Sequence, residues 1–331
     1  MISIPVQRMN GLKKKFKGLK VAVIGDMMLD GYFQGVVKRI SPEAPVPVVE
    51  VGNEFFRFGG AANVALNILK LGGNPLPVGV IGSDHDGEIF TSLINEMKIE
   101  SDGIFVDGSR PTTSKTRVIA HNQHVLRIDK ESKEYLGKKL QDRIFDFIYK
   151  HIDSLDAMIL EDYNKGVLTT TLIEKIIRLA RSKERIITVD PKFNNFFSFK
   201  DVTAFKPNRK EAEDVLGMKI GTDEEISSAG TRIMDKVNSK YLLLTLGEGG
   251  IAVFENGKAE RRMPTKARKV ADVSGAGDTV ISTLTMALAA GADIIEASYL
   301  ANFAGGIVCE EVGIVPIELD TLFSAIKAES L

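Results

Sequence analysis

Residues 272–278, DVSGAGD, constrain this chain more than any other stretch. Two glycines and an alanine stand directly before a carboxylate, and residues 276–290 carry apolar side chains at helical spacing with no breaker. A glycine-rich turn that opens a helix presents free backbone N–H groups at the positive end of the helix dipole. Such a terminus suits a phosphate, or charge developing on one. A carboxylate one turn into that site is repelled by the anion unless it has a task. The evident task is to take a proton from a hydroxyl that attacks phosphorus. Taken alone, GxGD fits a loop with a capping Asp or Ser equally well. Its weight comes from other pieces of the chain.

Composition narrows the field. A length of 331 residues suits one large α/β domain or two smaller ones. The formal net charge of −1 gives no bulk pull toward nucleic acid or an anionic membrane, and neither is expected as a partner. A single cysteine, Cys309, excludes an intrachain disulfide and fits a reducing compartment. It falls in a helical apolar pattern and is read as a buried, inert thiol. No apolar run reaches membrane-spanning length. The basic N-terminal stretch lacks the apolar core of a signal peptide and is expected as a short surface helix or arm. The cytoplasm is the expected location.

The apolar pattern alternates between two periods. Residues 19–25 (LKVAVIG) form a short β-rich run ending at glycine, as a buried parallel strand does. Residues 59–71 read as a glycine-started helix, 77–81 as a strand and 87–97 as a helix. Further on, strands are predicted at 157–160, 185–189, 203–205 and 241–245, and helices at 170–182, after Asn208 and at 224–237. Repeated βα units predict a parallel sheet with helices on both faces and ligands at the carboxyl ends of the strands. Residues 31–51 and 112–129 break this rhythm as extended segments with no helix between them. Long structureless loops are uncommon in a compact domain, so these segments are expected to form a small β-sheet, either a lid or a dimer surface.

Five more segments carry candidate chemistry. Residues 25–30 (GDMMLD) put carboxylates at a strand end, where they can hold sugar hydroxyls. Gly59, Gly60 and Asn63 open a helix, the glycines permitting close ligand approach. Residues 161–166 (EDYNKG) are a polar cluster after a buried strand. Asn208 and Glu211, three apart on one helix turn, can share the water shell of a magnesium ion. Residues 245–250 (TLGEGG) form a glycine-rich turn suited to nucleotide phosphates, or a hairpin turn into residues 251–255.

Together and in this order, the motifs resemble the ribokinase-like (PfkB) sugar kinases from about residue 18 to the C-terminus. The resemblance implies a three-layer α/β/α sandwich: one kinase domain over 1–331, a mostly parallel central sheet, and lid segments 31–51 and 112–129 as a small β subdomain. Within that family, residues 37–49 (VKRISPEAPVPVV) are similar to a signature of the D-glycero-β-D-manno-heptose 7-phosphate kinases of lipopolysaccharide precursor synthesis. Asn122, Gln123 and residues 126–129 (LRID), with the run Asp162, Tyr163, Lys165 and Gly166, support the same likeness. It implies ATP-dependent phosphorylation of the anomeric hydroxyl to the 1,7-bisphosphate. The chain ends after the kinase segment and resembles the stand-alone form, for which a separate adenylyltransferase is expected.

The implied roles follow residue by residue. Asp278 is the expected general base, and Gly275, Ala276 and Gly277 supply the anion hole. Asn208 and Glu211 are expected to hold Mg2+ through water. Asn208, Thr245, Gly247, Gly250 and Asn302 line the ATP side. Asp30, preferred over Asp26, takes the sugar with Gly59, Gly60, Asn63, Gln123, Arg127, Asp162, Lys165 and Lys192. The 7-phosphate demands cations, with Lys38, Arg39, Lys115, Arg117, Arg127 and Lys192 as candidates. Pairing of two lids across a twofold axis predicts a homodimer.

Overall fold

Strand β1 (Lys20–Gly25) is wholly apolar after its first residue, and its side chains divide by period two. Val21 and Val23 enter one hydrophobic core, while Ala22 and Ile24 enter another on the opposite side of the sheet. A computed structural model describes residues 4–121, 123–267, 273–311 and 313–329, and shows both cores. Asn122 and Asp272 lie outside the described residues.

Helix α1 (Val6–Phe16) precedes β1. Then come β2 (Met27–Ile40), β3 (Pro47–Gly60), α2 (Ala61–Lys70), β4 (Asn74–Gly82), α3 (His85–Glu96), β5 (Ile104–Asp107), β6 (Thr113–Ala120) and β7 (Gln123–Lys130). The second half runs α4 (Lys138–His151), β8 (Ala157–Glu161), α5 (Thr170–Ser182), β9 (Ile186–Asp190), β10 (Ala204–Phe205), α6 (Arg209–Leu216), α7 (Asp223–Val237), β11 (Tyr241–Thr245), β12 (Ile251–Glu255) and β13 (Arg261–Met263). Helices α8 (Ala276–Ala289), α9 (Ile294–Cys309) and α10 (Leu319–Glu329) close the described chain.

The large sheet has the order β13-β12-β11-β10-β9-β8-β1-β4-β5 among the described residues. It is parallel from β11 to β5 and turns antiparallel at β12 and β13. One core packs α1, α2, α8, α9 and α10 on one face; the other packs α4, α5 and α7 on the opposite face. The result is the predicted α/β/α layering. No described helix is long and apolar enough to cross a membrane.

The small sheet is present as well, in the order β3-β2-β6-β7. Its strands reach further toward the main sheet than the sequence pattern indicates, because β2 starts only two residues after β1 and β3 runs directly into α2. The N-terminal segment is the expected short surface helix, anchored by one buried face of Met9, Leu12 and Phe16; Phe16 meets Phe323 of α10 edge to face. Cys309 ends α9 half-buried and lines the cavity described below, which corrects its reading as a buried thiol.

The α7 helix approaches β12 through a glycine. A Cβ on Gly230 would lie 2.1 Å from the Phe254 ring. Gly230→Ala should therefore lose about 1–3 kcal/mol to overpacking, outweighing the ~1 kcal/mol that alanine gains in a helix. Urea denaturation should show a lower midpoint; an unchanged or higher midpoint would contradict this packing.

Candidate active site

Parallel pairing sets Gly25, Glu161 and Asp190 side by side, because Gly25 pairs with Glu161 and Glu161 with Asp190. Three strand ends thus deliver two carboxylates to one point. The next strand, β10, leads into Lys206, whose ammonium is buried and 2.7 Å from Asp190 Oδ2. Lys192, just past β9, pairs with Glu211 and stands 3.6 Å from Asp190 Oδ1.

Helix α8 faces these ends. Gly275 precedes it at φ +79°, a left-handed conformation that glycine adopts without strain, and Asp278 sits in the first turn. Asp278 is only 3% exposed. Asn63 Nδ2 donates to its Oδ2 at 2.7 Å, and the Tyr163 hydroxyl donates to its Oδ1 at 2.7 Å. Asn63 is placed by Gly60, whose φ of +54° turns β3 into α2. A Cβ on Gly60 would lie 2.5 Å from the Asp26 carbonyl oxygen.

Burial is the main reason that Asp278 is pushed up to about 6, with the Asn63 and Tyr163 hydrogen bonds partly offsetting it. Glu161, Asp190 and Asp278 offer oxygens within 4.8 Å of one another. Glu161 is completely buried, and neither of its carboxylate oxygens has a hydrogen-bond partner among the described residues. Burial, then Asp190 and Asp278, hold its proton affinity well above the usual carboxylate range. For Lys192 burial works to lower proton affinity, yet Asp190, Glu211 and Glu161 outweigh it and raise it.

A cavity of about 670 Å³ opens over this cluster. Gly275, Ala276, Gly277 and Asp278 form one wall; Asn208, Thr245, Gly247 and Gly250 form another, with Asn302 at the side. Backbone N–H groups at a helix start beside two ammonium groups make a strong anion site. A buried carboxylate directly behind them can accept a proton from a hydroxyl placed there.

A family model described as pfkB family carbohydrate kinase matches residues 19–320. This chain belongs to the pfkB family of carbohydrate kinases. It is 42% identical over 295 residues to the Bifunctional protein HldE of Geobacter sulfurreducens, covering 89% of this chain and 60% of that protein. Identity to the HldE of Desulfatibacillum aliphaticivorans is 40% over 303 residues, covering 92% and 62%. The chain spans about three fifths of the length of these curated relatives. The Arabidopsis thaliana ribokinase structure complexed with ribose and ATP aligns with a TM-score of 0.73 at 19% identity, over 94% of this chain and 99% of that one. Escherichia coli phosphofructokinase-2 in complex with substrates and products aligns with a TM-score of 0.75 at 16% identity, over 95% and 100%. At these identities the likeness shows the fold, which is ribokinase-like.

In this pfkB family chain the residues expected on the nucleotide side gather around the cavity. Asn208 and Glu211 also form a capping box at α6: Asn208 Oδ1 accepts from the Glu211 N–H at 2.9 Å, and Glu211 Oε2 accepts from the Asn208 N–H at 2.8 Å. Residues 247–250 are at once a cavity wall and the turn from β11 into β12. Asn302 Nδ2 donates to the Pro264 carbonyl at 2.7 Å.

The expected sugar residues are more dispersed. Asp30 is buried on β2 and pairs with Arg117 of β6. A Cβ on Gly59 would lie 2.3 Å from Asp30 Oδ2, so the glycine leaves room for that carboxylate. Asp26 instead accepts backbone N–H groups from Tyr163, Lys165 and Val167, and so secures a loop. Asp162 is pushed up to about 6 by burial and then by Asp26. It accepts from the Asn164 N–H and the Asn195 amide. Lys165 pairs with Glu131 at 2.7 Å. Gln123 is exposed at the start of β7, and exposed Arg127 bonds Asp129 twice. Lys192 lines the cavity beside Tyr163 and Asp190 rather than joining Asp30. Of the cation candidates, Lys38 pairs with Glu50 and Lys115 with Asp129 and Glu131.

Glu161, Tyr163, Asp190 and Lys206 received no individual role from the sequence. The available signal was position: each lies at or just after the carboxyl end of a buried strand. Their convergence depends on strand order, which one chain's pattern does not reveal.

The raised proton affinity of Asp278 has a sign for stability. Native protein holds this proton more tightly than unfolded chain does, so ionisation in the fold is penalised. The penalty is absent below about pH 4 and complete above about pH 6. Asp278→Asn should therefore raise stability at pH 8 by on the order of 2 kcal/mol. Asn63 Oδ1 has no partner among the described residues and can receive the new amide after a flip. The gap should close as pH falls from 6 toward 4 in thermal unfolding scans; a pH-independent gap would refute the penalty.

Proposed function

We propose that this chain is an ATP-dependent kinase that phosphorylates the anomeric hydroxyl of D-glycero-β-D-manno-heptose 7-phosphate to the 1,7-bisphosphate. In this reading it supplies ADP-heptose precursors for lipopolysaccharide. The observation that carries the kinase reading is the buried Asp278 carboxylate in the first turn of α8, behind the backbone of residues 275–277 and facing a cavity edged by Lys192 and Lys206. The heptose reading rests on the similarity of residues 37–49 to the heptose kinase signature, and the HldE relatives at about 40% identity accord with it.

Asp278 takes the proton of the acceptor hydroxyl as that oxygen attacks the γ-phosphorus of ATP, and ADP leaves. The N–H groups around Gly275, Ala276 and Gly277 face the transferring phosphoryl group; preorganised donors of this kind contribute about 2.7–4 kcal/mol each. Asn208, Thr245, Gly247, Gly250 and Asn302 bind the nucleotide. Asp30, Gly59, Gly60, Asn63, Asp162 and Lys165 hold the sugar, with Gln123 and Arg127 reaching it from the small sheet. Lys192 stands close enough to the cluster to meet a phosphate on either reactant. The oxygen donors of Asn208 and Glu211 at the cavity edge fit a hydrated, hard divalent cation, since both oxygens keep lone pairs beyond the capping box. Magnesium held there through water would neutralise nucleotide phosphate charge.

We read the chain as one kinase domain whose small sheet is a lid, with a cytoplasmic location where ATP is abundant. The small sheet exposes Ile40, Val51, Leu126 and Ile128, which a second copy would cover in a homodimer. Leu126→Glu should then yield monomers by sedimentation, whereas a monomeric parent protein would end the dimer reading.

Turnover with magnesium and ATP should be specific for heptose 7-phosphate over ribose, fructose and fructose 6-phosphate. Asp278→Asn should lower kcat about 10²–10⁴-fold. The kcat/KM of the parent enzyme should fall as pH drops below about 6, because the base must be ionised. Turnover confined to another sugar would keep the kinase and remove the heptose assignment. Full activity of the variant would remove Asp278 as the base.

A further inference from the structure

Both oxygens of Asp278 are held, and by groups from opposite sides of the molecule. Asn63 comes from α2, and Tyr163 from the loop that follows β8. We propose that Tyr163 is a positioning residue of this kinase: its hydroxyl fixes the Asp278 carboxylate toward the acceptor site and keeps it from turning to Lys192. The proposal rests on the reading of Asp278 as the base.

Lys192 supplies the reason that a restraint is needed. Its ammonium lies 5.0 Å from the centroid of the Tyr163 ring. One aromatic residue therefore meets the cation with its face and the carboxylate with its hydroxyl. With the hydroxyl gone, Lys192 is the cation whose charge still favours the ionised Asp278. A base paired with a lysine binds a proton less readily and points away from the attacking oxygen. The other groups around Asp278 are Glu161 at the end of β8, Asp190 at the end of β9 and Lys206 after β10. The two carboxylates repel its charge, and the Lys206 ammonium is engaged by Asp190.

The loop that carries Tyr163 is itself tied down. Asp26 accepts the Tyr163 N–H at 2.8 Å, the Lys165 N–H at 3.0 Å and the Val167 N–H at 3.2 Å. Arg110 donates to the Lys165 carbonyl at 2.5 Å and to the Glu134 carbonyl at 3.2 Å. A buried anion and a cation thus clamp the loop whose outward product is one phenol. Burial, with Asp278, Glu161 and Asp190 nearby, pushes that phenol well above its ordinary range, so it remains a donor wherever the enzyme works.

Tyr163→Phe keeps the ring and deletes the bond. Against the sugar that turns over, kcat should fall about tenfold, the equivalent of one modest hydrogen bond, with KM for ATP unchanged. The midpoint of the acid limb should fall with it, because the Lys192 charge that replaces the neutral donor favours the ionised carboxylate more strongly. A reading independent of turnover is the stability difference that Asp278→Asn makes, measured once in the parent and once in the Tyr163→Phe protein. That difference opens at about pH 4 in both backgrounds, where the unfolded carboxyl titrates, and the pH at which it levels off should be lower in Tyr163→Phe. Asp26→Asn, which loosens the loop without touching Asp278, should move both readouts in the same direction by less. Unchanged kcat and an unmoved levelling-off pH in Tyr163→Phe, while Asp278→Asn is inactive, would overturn the role of Tyr163 alone. A lower kcat with both midpoints unmoved would reduce Tyr163 to packing and equally overturn it. An active Asp278→Asn enzyme would instead overturn the base on which the proposal stands.

Discussion

Asp278 is almost wholly buried at the edge of the cavity, and the surrounding structure is arranged to tolerate that. A buried carboxylate with no compensation simply takes up a proton. Here two hydrogen bonds favour the ionised form while burial and neighbouring carboxylates oppose it, and the balance leaves the group near 6. A carboxylate of that strength is ionised at neutral pH yet still able to hold a proton. The same desolvation that destabilises the fold gives the carboxylate its proton affinity.

The compensation is distributed over the strand ends. Asp190 divides its oxygens between Lys206 and Lys192, and Lys192 reaches on to Glu211. Glu211 in turn caps α6 together with Asn208. A charge change at the centre is therefore felt at the start of a helix on the far wall of the cavity. Glu161 has no hydrogen-bond partner among the described residues, and burial with Asp190 and Asp278 beside it raises its proton affinity. Buried ion pairs of this kind add little net stability. What they do supply here is a fixed arrangement of positive and negative groups around the cavity.

The sequence pattern revealed the local elements well because most are driven by period. β1, α5 and β11 carry uninterrupted apolar or amphipathic patterns, and the structure follows them within a residue or so. β5 and β13 escaped because four and three residues are too few to show a period. α4 begins after Gly137, which offers no side-chain cap, so its start carries no signal. The glycine motifs were legible because they demand unusual backbone: Gly60 and Gly275 both have positive φ, and both start helices at the site. The meeting of Tyr163 with Asp278, 115 residues apart, was not legible, since it depends on β8 lying next to β1 and beneath α8.

The placement of the two sheets explains why the motifs are spread so widely along the chain. β2 leaves the main sheet directly after β1, and β3 returns through Gly59 and Gly60 into α2. A single excursion therefore connects Asp30 on the small sheet, through those glycines, to Asn63 and hence to Asp278. The second excursion, β6 and β7, contributes Arg117 to Asp30 across the parallel pairing with β2. Any shift of the small sheet must then be absorbed at Gly59 and Gly60, where a side chain would strike Asp30 or the Asp26 carbonyl. The glycines serve as the joint between the two sheets, and the same two residues set the entry angle of the helix whose Asn63 holds Asp278.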